Sequence, residues 1–151
     1  MLSIMKKTFL LISAMGFSLM SCGQNIAAAD VPSLVLNTFK ATFTNAVDIE
    51  WEKKKDHYEA DFEVGTADHE VQINQAGNIL IHKQQISPLD LPKLITDQIT
   101  AKFKDFKLDE ADKLEKDGKI YYQVELDKRF TERRMVFAEN GEETKAVSYW
   151  D

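Results

Sequence analysis

An α+β fold made of two tandem α-β-β-β-β repeats, each a helix packed on a four-stranded antiparallel sheet, is predicted by three observations. Within Ile49 to Ile81, the residues Tyr58, Ala60, Phe62 and Val64 take every second position, with His57, Glu59, Asp61 and Glu63 between them. Successive side chains of a strand point to opposite faces, so the run has one apolar and one acidic face. A helix does not produce period two over that length. Next, Val31, Val35, Phe39 and Phe43 recur every four residues, the spacing of an apolar helix face. Finally, both patterns return. Asp90-Leu91-Pro92 stands 60 residues after Asp30-Val31-Pro32, and Met135, Phe137 and Asn140-Gly141 stand 64 after Val71, Ile73 and Ala76-Gly77. A repeat found at both helix and turn marks a duplicated unit. Helix and sheet are expected to cover each other, since neither can bury its apolar side alone.

The chain opens with a targeting segment, residues 1–21. Lys6 and Lys7 precede an apolar run from Thr8 to Met20. Thirteen residues of helix cover about 20 Å, short of the roughly 30 Å hydrocarbon layer, as in an export signal and unlike a permanent span. The run ends in Leu19-Met20-Ser21-Cys22, which resembles the lipobox of bacterial lipoproteins. That resemblance implies lipid attachment at Cys22, the only cysteine in the chain, and leaves no thiol for disulfide, metal or nucleophilic chemistry.

Residues 22–29 are expected to be a tether, residues 30–88 the first repeat and 89–151 the second. Asp30 and Pro32 carry the marks of a helix start, an acceptor for free N–H groups and a proline in the first turn. Strands follow at Val47 to Lys55, His57 to Val64, His69 to Asn74, and from Gly77 to about Ile86. The second unit repeats the order with a longer first hairpin around Asp117-Gly118, where Ile120, Tyr122, Val124 and Leu126 alternate with Tyr121, Gln123, Glu125 and Asp127. Phe39, Phe43, Trp51, Tyr58, Phe62 and Phe103 fall at core spacing.

The helix ending in Phe43-Thr44-Asn45-Ala46, the strand Tyr58-Glu59-Ala60-Asp61-Phe62 and the hairpin Val71-Gln72-Ile73-Asn74-Gln75-Ala76-Gly77 together resemble the PepSY-like, beta-lactamase-inhibitor-like family of exported proteins. The resemblance covers residues 30 to 150 in two copies. The second departs from the first in having Phe106 where the first has Ala46, and Lys-Leu-Asp-Glu-Ala for Val-Asp-Ile-Glu-Trp. It implies the fold, an envelope address and protein binding or inhibition, and carries over no catalytic residue.

Composition narrows the partners. With 44% hydrophobic and 29% charged residues the chain is globular in type. Its net charge of −6 becomes −8 once the leader's two lysines are removed, and such an acidic body repels nucleic acid. The three histidines have no HxH or HExxH spacing. His57 and His82 are placed by alternation on the wet face, and no metal site or cofactor is expected. Lys53-Lys54-Lys55 reads as a solubilising turn. Leu80, Tyr121, Val136 and Trp150 are expected to point away from the helices and, with Glu59 and Asp61, to form a candidate partner surface. The leading expectation is a non-enzymatic, lipid-anchored, periplasm-facing protein that binds another envelope protein or a small ligand through this face. The alternatives are a hydrolase of envelope glycans using Glu59, Asp61 and Glu63, or an acidic cation buffer.

Overall fold

The computed structural model describes residues 24–151, so the leader and Cys22 lie outside the described residues. A short strand β1 (Gln24–Ile26) is followed by a 3-10 turn over Ala28–Asp30 and helix α1 (Ser33–Thr42). Four strands come next: β2 (Val47–Lys53), β3 (His57–Val64), β4 (Ala67–Asn74) and β5 (Ile79–Gln85). A second 3-10 turn, Pro88–Asp90, leads to α2 (Lys93–Lys102), β6 (Lys107–Lys116), β7 (Lys119–Lys128) and β8 (Thr131–Ala138).

The two expected sheets are one. All eight strands form a single antiparallel sheet in chain order. The join is β5 against β6, from His82 opposite Glu115 to Gln85 opposite Asp112. The longer second hairpin extends this join. β6 has ten residues against seven in β2, and Leu114 and Glu115, past the equivalent of the end of β2, pair with Lys83 and His82. The stretch expected as a tether supplies β1, which lies on β2 with Ile26 opposite Trp51. Sixty residues on, Ile86 donates its N–H to the carbonyl of Ala111 at 3.0 Å, so β1 serves the first copy as β5 serves the second.

Register carries one face continuously across the join, and both helices lie on it. Val35 and Phe39 of α1 pack with Trp51, Tyr58, Ala60, Phe62, Val71 and Ile73. Ile95 and Ile99 of α2 pack with Ala111, Val124, Leu126, Met135 and Phe137. Phe43 and Phe103, expected in the core, stand just past the helix ends and are half-buried. Pro32, not Asp30, holds the N-cap position of α1, and no side chain caps it. Gly77 and Gly141 turn the equivalent hairpins with φ of +80° and +85°. A Cβ would stand 3.1 Å from the Leu34 carbonyl oxygen at the first and 2.8 Å from Leu94 Cβ at the second. Each glycine therefore meets both a backbone and a packing demand.

The fourth strand expected in the second repeat is absent. After Gly141 the chain pairs briefly with β8, Thr144 N–H donating to the Val136 carbonyl at 2.8 Å. It then leaves the sheet edge and crosses the face opposite the helices. There Val147 joins Ile81, Leu114 and Val136 in a third apolar cluster, flanked by Tyr121, Tyr149 and Trp150.

Candidate binding face of the sheet

The face opposite the helices is built from the alternate residues of each strand, and register sets them in rows. One row runs Glu50, Asp61, Glu70, Lys83, Leu114, Tyr121; its neighbour runs Glu52, Glu59, Gln72, Ile81. Along these rows acids lead on β2 to β4 and apolar groups follow on β5 to β7. The tail of residues 144–151 covers much of the apolar part.

Of the six expected surface residues, Asp61, Tyr121 and Trp150 are half-buried on this face or its cover, and Glu59 and Val136 are buried there. Asp61 is half-buried, and burial, followed by the charges of Glu59 and Glu52, raises its carboxyl above the usual range. Glu59 is on the face but only 8% exposed. It accepts from Gln72 Nε2 at 3.0 Å and pairs with Lys54 at 3.2 Å. Tyr121 and Trp150 are half-buried against the third cluster. Val136, expected exposed, is 4% exposed because the tail lies over it.

Leu80 is on the other side. It lines a cleft with Thr42, Phe43 and His82 on the helix face. The cause is an irregularity in the β4–β5 pairing: Gln72 stands opposite Ile81 but Ile73 opposite Ile79. An extra residue in one strand reverses the phase of everything after it. His82 is moved by the same shift. Its ring stacks on His69 at 10° between planes, and His69 Nδ1 lies 3.0 Å from His82 Nε2.

Two hollows flank the tail. The smaller, about 340 Å³, is lined by Glu70, Lys83, Asp112, Glu125, Arg134 and Trp150 among others. Burial raises the Glu70 carboxyl to about 7 although Lys83 lies 2.5 Å away. Burial also raises Asp112, against a hydrogen bond from Gln123. Acid–base catalysis by two carboxyls needs environments that push them apart, and here both move the same way. The larger hollow, about 650 Å³, is lined by Lys54, His57, Glu59, Gln72, Tyr149 and Trp150 among others. His57 Nδ1 is bonded to Asp56 at 2.8 Å, and its buried Nε2 has no partner. The Glu59 carboxylate lies 3.9 Å from that Nε2.

A group of possible metal ligands, Asp109, Glu125 and Asp127, converges at the far end of β6 and β7. Asp109 is paired with Lys107 at 2.9 Å and Glu125 with Arg134 at 3.2 Å, so two of the three already have cations. Sequence reasoning missed the tail's role. Gln123 was placed on the wet face by alternation, yet nothing local marks it as the residue that holds the tail.

A duplicated helix-and-sheet unit, with both helices on one face of a single antiparallel sheet, defines the structural class. The chain belongs to the beta-lactamase-inhibitor-like, PepSY-like family, whose model matches residues 20–82 and again 80–143. Solved structures share the fold. A DUF2874 family protein from Bacteroides uniformis superposes with a TM-score of 0.70 at 16% identity, over 76% of this chain and 86% of that one. A candidate periplasmic protein from Bacteroides eggerthii gives 0.71 at 18%, over 76% and 86%. A BLIP-like protein from Bacteroides fragilis gives 0.66 at 20%, over 75% and 82%. At these identities the likeness is one of fold. A search among curated proteins finds no match. No helix among the described residues is long and apolar enough to cross a membrane.

Proposed function

We propose that this chain is a non-enzymatic protein of the bacterial envelope, lipid-anchored through Cys22, which binds another protein through the outer face of its sheet. The observation that carries the proposal is the division of labour between the two faces. The helices pack two apolar cores against one face, while the other keeps half-buried charges, Asp61, Glu70 and Lys83, beside the aromatic groups Tyr121, Tyr149 and Trp150. A polar rim around buried aromatics is the anatomy of a protein-binding surface. The envelope address is supported by the leader of the sequence and by the description of the Bacteroides eggerthii relative. An inhibitory mode of action fits the family's description.

Two experiments test this. Cys22→Ser should abolish fatty-acid labelling and release the protein from membranes; persistent labelling of the serine variant would refute the anchor. For the face, the mature protein is used to capture a partner from its own envelope extract. Affinity and melting temperature are then measured for Glu59→Ala, Asp61→Ala, Tyr121→Ala and Trp150→Ala. Truncating Tyr121, the aromatic anchor that belongs to the sheet itself, should cost about 2 kcal/mol or more of binding, and Asp61→Ala should act mainly on association rate and its salt dependence. Four folded variants binding like the parent would remove the face from consideration.

A further inference from the structure

The C-terminal segment lies on the outer face in the way a peptide lies in a site. One buried side chain holds it. Gln123 is 1% exposed, and its carboxamide makes two reciprocal bonds with Trp150. Nε2 donates to the Trp150 carbonyl at 2.9 Å, and Oε1 accepts from the Trp150 N–H at 3.0 Å. Residues of a β-ladder exchange the same pair of bonds, but here one partner is a side chain rising from the sheet. The amide also donates to Asp112 at 2.8 Å, which fixes its orientation. Lys83 adds a third contact to the main chain, donating to the Trp150 carbonyl at 3.3 Å.

These contacts read backbone, and neighbouring groups read side chains. Val147 is buried among Ile81, Leu114 and Val136. Lys83 Nζ stands 5.0 Å from the centre of the Trp150 ring and the Arg134 guanidinium 5.3 Å from that of Tyr149. Arg134 also pairs with the Asp151 carboxylate. The first copy shows that the fold does not require this course. There the chain after the equivalent hairpin stays in the sheet as β5. The tail instead leaves the ladder of β8 for the face, and the hollows beside it leave room for a longer occupant.

We propose that the outer face is a recognition groove for an extended peptide segment of the pattern apolar–x–aromatic–aromatic–acidic. In the free protein the chain's own residues 144–151 occupy it, and a partner protein presenting such a segment displaces them. The proposal rests on the outer face being the binding surface and names the chemistry of what it binds.

A tail tethered beside its site competes at an effective concentration on the order of millimolar, so the test weakens the tail in the full-length chain. A fluorescein-labelled peptide of residues 144–151 is titrated against the parent, the Tyr149→Ala/Trp150→Ala variant, and that variant with Gln123→Leu added. Saturable binding is expected for the double variant. It should be at least tenfold weaker for the parent and at least tenfold weaker once Gln123 is changed. A peptide with both aromatics replaced by alanine should not bind. A folded double variant that ignores the peptide, or binds it equally without Gln123, overturns the proposal.

Hydrogen exchange in the parent needs no variant to fold. The Trp150 amide should exchange at least a hundredfold faster than that of Val124 in β7, because the tail opens without global unfolding. Equal protection of the two would overturn a displaceable tail. The two proposals fail separately. Loss of a captured partner in the Asp61 or Tyr121 variants together with no peptide binding sinks the groove alone. Peptide binding with no effect of those variants on the partner sinks the wider assignment.

Discussion

His82 and Glu70 are moved from their ordinary titration ranges by one cause acting on opposite charges. Burial lowers His82 to about 4, assisted by the charge of His69, and raises Glu70 to about 7 against the pull of Lys83. The signs follow from linkage. His82 stays neutral when folded while the unfolded chain takes up a proton, so its share of stability is full above about 6.5 and is lost as pH falls toward 4. Glu70 behaves in the opposite way. Its share is full below about 4.5 and is lost as pH rises toward 7. The two slopes oppose each other in the parent, and variants separate them. His82→Gln removes one slope and should leave stability falling more steeply as pH rises from 4.5 to 7, the Glu70 share now being less opposed. Glu70→Gln should leave stability falling more steeply as pH drops from 6.5 to 4, opposed only by the similarly raised Asp61 and Asp112. Urea midpoints at four pH values measure both. A His82→Gln profile parallel to the parent's would refute the assignment.

At the scale of elements, helix and hairpin meet at a glycine in each copy. Gly141 and Gly118 both have positive φ, but only Gly141 abuts a helix; nothing lies within 4 Å of a Cβ at Gly118. Alanine at Gly118 should therefore cost only the left-handed backbone penalty, about 1 kcal/mol. Gly141→Ala adds a collision with Leu94 and should cost about 2–4 kcal/mol in denaturant unfolding. Equal losses would mean that α2 yields freely at this contact. The β7–β8 turn shows the contrary choice. Arg129 adopts a φ of +53° where the first copy has Gly65 at +68°, and Phe130 beside it is 97% exposed. Nothing in the structure explains why these residue types stand there.

In the whole molecule, duplication yields two cores but one sheet. The β5–β6 join puts Ile81 and Leu114 side by side beneath the tail, so the third apolar cluster draws on both copies and on the C-terminus. Neither the join nor the cluster belongs to a single repeat. It is also where the acidic half of the outer face meets the aromatic half, and Lys83 bridges them through Glu70 and Trp150.

Residue order by itself determined the alternating strands, the apolar faces of the helices, the turn glycines and the repeat at 60 and 64 residues. These are local properties, readable wherever a dozen residues decide their own conformation. It placed Tyr58, Phe62 and Val124 inside and Asp61 outside on the same basis. Only the tertiary structure decided that the sheets fuse, that β5 reverses phase so that Leu80 and His82 face the helices, and that the tail buries Val136. Each of those outcomes depends on contacts between distant residues. A ladder irregularity at Gln72 and Ile73 needs the partner strand before it exists. The tail is held by Gln123, 27 residues away, and by Lys83, 67 away. Alternation along one strand says which side chains share a face, but what then covers that face is settled by chain that arrives from elsewhere.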